Sequence, residues 1–202
     1  MNTEIICILD RSGSMWNIVK SSIEGFNNFV NQQREEEGEA RISLILFDDK
    51  IECVYNAVDL KTVNELNEDV YTTRGMTALN DAIGMTVTKH ANRIKTEAWA
   101  DKVVVCILTD GQENSSKEYT QASVKDLITE YEEKGWCFVF LAANQDAFAT
   151  SAGYGMQARN TANFSADHQG TLGAYGTMNS TVTTYRNSLT INAKNTSKKS
   201  AS

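Results

Sequence analysis

Residues 4–14 read EIICILDRSGS, an apolar run from Ile5 to Leu9 that stops at a carboxylate and opens into small polar residues. Strict alternation would mark a strand with one wet face. A short continuous run instead marks a strand covered on both faces, as in a parallel sheet flanked by helices. The pattern returns at 103–108 (VVVCIL) and at 137–142 (CFVFLA), giving three candidate central strands. Residues 41–47 (RISLILF) and 51–55 (IECVY) are separated only by Asp48-Asp49-Lys50. That spacing reads as a hairpin and puts one antiparallel strand at a sheet edge.

Between these runs lie apolar stripes at helical spacing. Val19, Ile23, Phe26 and Val30 form one, and Leu79, Ile83, Val87, Ala91 and Ile94 a second. Val124, Leu127, Ile128 and Tyr131 form a third, closed by Gly135. The order βαββαβαβ predicts a doubly wound, mostly parallel α/β sheet with helices on both faces, a Rossmann-like arrangement. Beyond residue 144 the pattern weakens. Asp146–Gly153 reads as a short helix, Phe164 marks a brief last strand, and His168–Leu189 has helical spacing despite its Gly and Thr content. Residues 1–189 are therefore expected to form one domain, with 190–202 a flexible polar and basic tail.

A chain of 202 residues suits a single α/β domain. Hydrophobic residues at 41% and charged residues at 22% place it among soluble globular proteins. A net charge of −7 and a pI near 4.9 argue against nucleic acid as a partner, because nucleic-acid binders present basic surfaces. The opening apolar run is too short for a signal-peptide core, and nowhere do ~20 apolar residues run together, so no membrane span is expected. Cys7, Cys53, Cys106 and Cys137 each sit in a strand-like stretch without a CxxC pair. They read as buried thiols in a reducing, cytoplasmic compartment.

Two carboxylates sit where buried strands end: Asp10 after the first, Asp110 after the run at 103–108. In an open α/β sheet the ligand crevice lies outside those ends. Two close carboxylates repel unless a cation lies between them. Ser12 and Ser14 add hydroxyl oxygens to the same turn. An all-oxygen set suits Mg²⁺, Mn²⁺ or Ca²⁺ rather than zinc or copper. A second reading stands beside this one: Asp10 and Ser14 as helix caps, and Thr77, just before the second stripe, as a plain threonine N-cap.

Taken together, DRSGSM (10–15), Gly75-Met76-Thr77-Ala78-Leu79-Asn80-Asp81-Ala82 and LTDGQEN (108–114) resemble the von Willebrand factor type A domain over roughly residues 3–145. In that family three loops form the metal-ion-dependent adhesion site. The resemblance implies metal-site roles for Asp10, Ser12, Ser14, Thr77 and Asp110, with direct ligation by the serines, Thr77 and Asp110 binding directly or through water, and Asp10 acting largely through water. It implies Mg²⁺ as the cofactor and a protein ligand offering an Asp or Glu carboxylate. It also implies a separate ATPase or assembly partner supplied in trans. Ala78 stands where many relatives have proline, and AANQDAFATSAGYGM (142–156) is loosely similar to bacterial and phage members.

The rim of such a site is expected to include Arg11, Met15, Arg74, Met76, Gln112, Glu113 and Asn114, with Arg11 the most exposed. Trp16 reads equally as rim or as core of the first helix. Some Mg²⁺-dependent phosphotransferases also place an Asp at the end of a first strand. They need a second carboxylate two residues on, where this chain has Ser12. His90 and His168 lie far from the three loops in sequence, so a non-enzymatic binding module is expected, with a structural or assembly subunit of a bacterial or phage complex as the alternative.

Overall fold

The computed structural model describes residues 1–143 and 146–188. Its strands are β1 (Thr3–Asp10), β2 (Ala40–Phe47), β3 (Ile51–Asp59), β4 (Lys102–Thr109), β5 (Cys137–Ala143) and β6 (Thr161–Phe164). The helices are α1 (Val19–Arg34), α2 (Leu79–Glu97), α3 (Gln121–Glu133), α4 (Ala147–Gly153) and α5 (His168–Asn187). A short 3₁₀ turn, Gly13–Ile18, joins β1 to α1. The six strands form one sheet in the order β3-β2-β1-β4-β5-β6, all neighbours parallel except β2 and β3. The expected fold and its antiparallel edge strand are present.

Alternation within the apolar runs builds two cores. Ile5, Cys7, Leu9, Val104, Cys106 and Leu108 face one layer, with Phe26, Phe29 and Tyr175 from α1 and α5. Ile6, Ile8, Val105 and Ile107 face the other, with Ile83, Val87, Val124 and Ile128 from α2 and α3. A strand buried on both faces carries apolar residues on both, and this is the cause of the continuous runs. The α2 and α3 stripes bury as expected, with Ile94, Leu127 and Tyr131 partly covered. The buried face of α1 includes Phe26 and Val30 of the expected stripe but is wider. It runs through Ser22, Gly25, Phe26, Phe29, Val30 and Gln33, because α5 covers that side, and Val19 and Ile23 lie at its margin.

Cys53 is exposed and Cys137 half-buried, against the expectation that all four thiols are buried. Cys53 lies on β3, the edge strand of the sheet among the described residues. The segments around Asp146, Phe164 and His168 form α4, β6 and α5, while the tail 190–202 lies outside the described residues. Among the described residues no helix is long and apolar enough to cross a membrane.

Candidate metal centre

β1 lies at the middle of the sheet. The chain leaves it towards β2 on one side and returns at β4 on the other, so the reversal of strand order opens a crevice at the carboxyl ends of β1 and β4. Asp10 closes β1 and is fully buried. Its Oδ1 accepts the Ser12 N–H at 2.6 Å, and its Oδ2 accepts the Thr109 hydroxyl at 2.6 Å. Tyr71, also fully buried, donates its hydroxyl to the Asp10 carbonyl. Asp10 is thus held behind the crevice, with both oxygens already engaged.

Four other oxygens line the front. Ser12 Oγ and Ser14 Oγ are 3.1 Å apart, and Ser14 Oγ donates to Asp110 Oδ1 at 2.6 Å. Gly111 marks the shared space: a Cβ built there would lie 2.8 Å from Thr77 Oγ1 and 3.6 Å from Ser14 Oγ. All five residues expected at a metal site therefore meet at one place. The capping alternatives fall away locally. The residue at the cap of α2 is Ala78, without a side-chain cap hydrogen bond, and α1 is preceded by Ile18, likewise uncapped.

The charges match this geometry. Burial pushes the Asp10 carboxyl up to about 6, opposed by its hydrogen bonds from Thr109 and Ser12 and reinforced by Asp110. Burial also raises Asp110, against the hydrogen bond from Ser14. Arg11 and Arg74, the arginines of the same loops, are committed to Asp48 and Glu52. Two carboxyls held above their ordinary range thus lie beside the hydroxyls of Ser12, Ser14 and Thr77, a set of oxygens that could hold a cation. Adjacent ligands of an octahedral Mg²⁺ with 2.0–2.1 Å bonds stand roughly 3 Å apart, so the Ser12–Ser14 spacing suits such an ion. Among the described residues no group of three or more His, Cys, Asp or Glu side chains is placed to hold a metal ion.

The expected rim needs correcting. Arg11 is 2% exposed and Met15 fully buried. Arg11 points away from Ser12, as expected, but the opposite direction leads into the β2–β3 turn and not into solvent. The 3₁₀ turn sends Met15 and Ile18 inward, three residues apart, and leaves Trp16 74% exposed. Met76 is 53% exposed, and Gln112 is exposed. Arg74 and Asn114 are also exposed, as expected of a rim, whereas Glu113 is half-buried. Glu113 and Asn114 also bond to neighbouring segments. Glu113 accepts the Asn80 N–H at 2.7 Å and the Ser115 and Ser116 N–H groups. Asn114 Oδ1 accepts the Thr77 N–H at 2.9 Å, and its own N–H donates to the Thr77 carbonyl. These residues knit the third loop to the second. Sequence reasoning missed Thr109, Tyr71 and Asp48, which hold the first loop. Their partners lie tens of residues away, and no local spacing reveals them. His90 is buried on α2 beside Arg93, and His168 is exposed at the start of α5.

The family model described as von Willebrand factor type A domain matches residues 4–169. No curated protein sequence matches the chain. Among solved structures, proximal thread matrix protein 1 from the mussel byssus is similar at TM-score 0.65 and 15% identity, over 90% of this chain and 46% of that one. Another structure of that protein has a zinc-occupied MIDAS motif (TM-score 0.65, 14% identity, 90% and 46% covered). The manganese-loaded TRAP protein of Plasmodium vivax is similar at TM-score 0.61 and 18% identity, over 86% of this chain and 71% of that one. The vWF domain of the pilus tip protein Mfa5 from Porphyromonas gingivalis is similar at TM-score 0.63 and 12% identity, over 89% and 94%. The chain spans about half the length of the mussel protein it matches.

Proposed function

The chain belongs to the von Willebrand factor type A domain family, and on that premise we propose that it is a divalent-metal-dependent protein-binding module. Ser12 and Ser14 would hold a Mg²⁺-type ion directly, Thr77 and Asp110 directly or through water, and Asp10 largely through water. The observation that carries this reading is the convergence of those oxygens on the space over Gly111, with Asp10 buried behind them. When bound, such an ion offers a partner's Asp or Glu carboxylate a coordination position. The chain's own residues supply the rest. Asp10 and Asp110 balance the charge, the hydroxyls set the spacing, and the buried rear of the crevice limits access to its front. Around that opening the exposed Trp16, Met76 and Gln112 present apolar and polar surface to a partner. The matrix and pilus proteins among the structural neighbours support a protein partner, and the zinc- and manganese-bearing neighbours support a divalent ion.

Peptide arrays test this directly. With Mg²⁺ present, spots containing Asp or Glu should bind the protein. Binding should vanish in EDTA and when the acidic residue is changed to its amide. Spots that bind equally well in excess EDTA would contradict the reading.

A further inference from the structure

The β2–β3 turn carries none of the five residues proposed to hold the metal, yet it touches two of the three loops that do. Asp48, in that turn, has no exposed surface. Its Oδ2 accepts Arg11 Nε at 2.9 Å and Arg74 Nε at 2.8 Å, and its Oδ1 accepts the Lys50 N–H at 2.7 Å. Its backbone carbonyl accepts the Ala78 N–H at 2.9 Å. Arg11 lies between Asp10 and Ser12, and Ala78 follows Thr77. One residue therefore grips both sides of the crevice. The loops are also bonded directly: Arg74 N–H donates to the Arg11 carbonyl at 2.9 Å, and Gly13 N–H to the Gly75 carbonyl at 3.2 Å. Gly75 has a positive φ of 68°, and a Cβ there would come within 2.1 Å of Asp49 Oδ1, so the loop is pressed onto the turn. Glu52 closes the cluster with Arg11 Nη1 at 2.8 Å.

From this arrangement we infer that Asp48 is a positioning residue, whose carboxylate and carbonyl hold the Ser12–Ser14 loop and the Thr77 loop at the separation a small divalent ion requires. The inference rests on the metal-binding reading above and adds a determinant of ion size to it. The physical reason is a difference in tolerance. Mg²⁺ needs near-ideal octahedral ligands at ~2.0–2.1 Å, whereas Ca²⁺ accepts ~2.3–2.6 Å and irregular geometry. Loops fastened to one buried carboxylate disfavour the longer bonds, and loops released from it accommodate them. The hydrogen bonds from Arg74 and Lys50 and the charge of Arg11 outweigh burial and keep Asp48 below the usual carboxylate range, so the clamp is charged at neutral pH. Partners that orient metal ligands commonly contribute 10–100-fold in affinity.

The test compares wild type with Asp48→Asn, and with Arg74→Gln in case the first variant does not fold. Two readouts are used at a temperature well below unfolding. One is amide hydrogen exchange at Gly13, Arg74 and Ala78 in metal-free protein. The other is the ratio of Mg²⁺ to Ca²⁺ affinity by calorimetry. The expected result is exchange at least tenfold faster at those three amides, with Mg²⁺ affinity down roughly tenfold or more and Ca²⁺ affinity down much less. Arg74→Gln should move both readouts the same way by a smaller factor. A general loss of stability would lower both affinities together and leave their ratio alone. Wild-type exchange in a folded Asp48→Asn, or an unchanged Mg²⁺/Ca²⁺ ratio, overturns the inference. If the wild type binds neither ion while exchange rises in the variant, the metal reading fails and the clamp between the loops stands.

Discussion

Replacing Asp10 by Asn should stabilise the metal-free protein while weakening the metal binding proposed above. The Asp10 carboxyl is fully buried, and its pKa is raised from the ordinary 3.8 to about 6, mainly by burial. A carboxyl whose folded pKa is raised adds stability that is fully present below pH ~4 and is lost as pH climbs through about 6. By neutral pH the ionised, desolvated group costs the fold on the order of 3 kcal/mol. An amide removes that cost and fits the site. Asn Oδ1 can still accept the Ser12 N–H. Its amide nitrogen can donate to Thr109 Oγ1, whose proton turns to the Gly111 carbonyl 3.1 Å away. With some allowance for imperfect packing, a gain of about 1–3 kcal/mol is expected at pH 7.5, or roughly 3–10 °C in Tm. The gain should shrink by about half at pH 5. Thermal unfolding in EDTA and in excess Mg²⁺, at both pH values, measures this. Wild type should rise in Tm with Mg²⁺ and Asp10→Asn should not. An Asp10→Asn protein less stable than wild type in EDTA at pH 7.5, or one that gains as much from Mg²⁺, would refute the reasoning.

Three further outcomes follow from the same structure. Gly111→Ala should fold but lose Mg²⁺ affinity by about tenfold or more in calorimetry, because its Cβ would stand 2.8 Å from Thr77 Oγ1 in the space where the oxygens converge. Lys102→Met should cost about 2 kcal/mol or more in urea unfolding, because the fully buried ammonium donates to the carbonyls of Tyr185 and Arg186 at 2.7 and 2.8 Å at the end of α5. Trp16→Ala should change stability by less than about 0.5 kcal/mol and leave Mg²⁺ affinity unaltered in the same two assays, since its ring is 74% exposed.

What the sequence discloses and what it hides have one cause, the range of the interactions. The unbroken apolar runs report strands buried on both faces, so β1, β4 and β5 are visible in the letters alone. The spacing of Ser12 and Ser14 after Asp10 is equally local, and so is the Gly75-Met76-Thr77 turn before α2. The convergence of these loops follows from the sheet order, which the alternation of strands and helices announces. Arg11 was misplaced because its partner, Asp48, lies 37 residues away across the β2–β3 turn. The bridging bonds of Glu113 and of the exposed Asn114 are hidden for the same reason. Their bonds to Asn80 and Thr77 span 33 and 37 residues. The α1 stripe holds at Phe26 and Val30 but misses Ser22, Gly25, Phe29 and Gln33, because α5, more than a hundred residues later, covers that side of α1 as well.

The central claim is that five side chains of three loops form one divalent-metal site. Calorimetric titration of Mg²⁺, Mn²⁺ and Ca²⁺ into EDTA-treated protein, beside an Asp10→Ala/Asp110→Ala variant whose folding is checked by circular dichroism, tests it most directly. The account predicts binding of about one ion to the wild type and none to the folded variant. No binding by the wild type at millimolar metal, or undiminished binding by the variant, would contradict it.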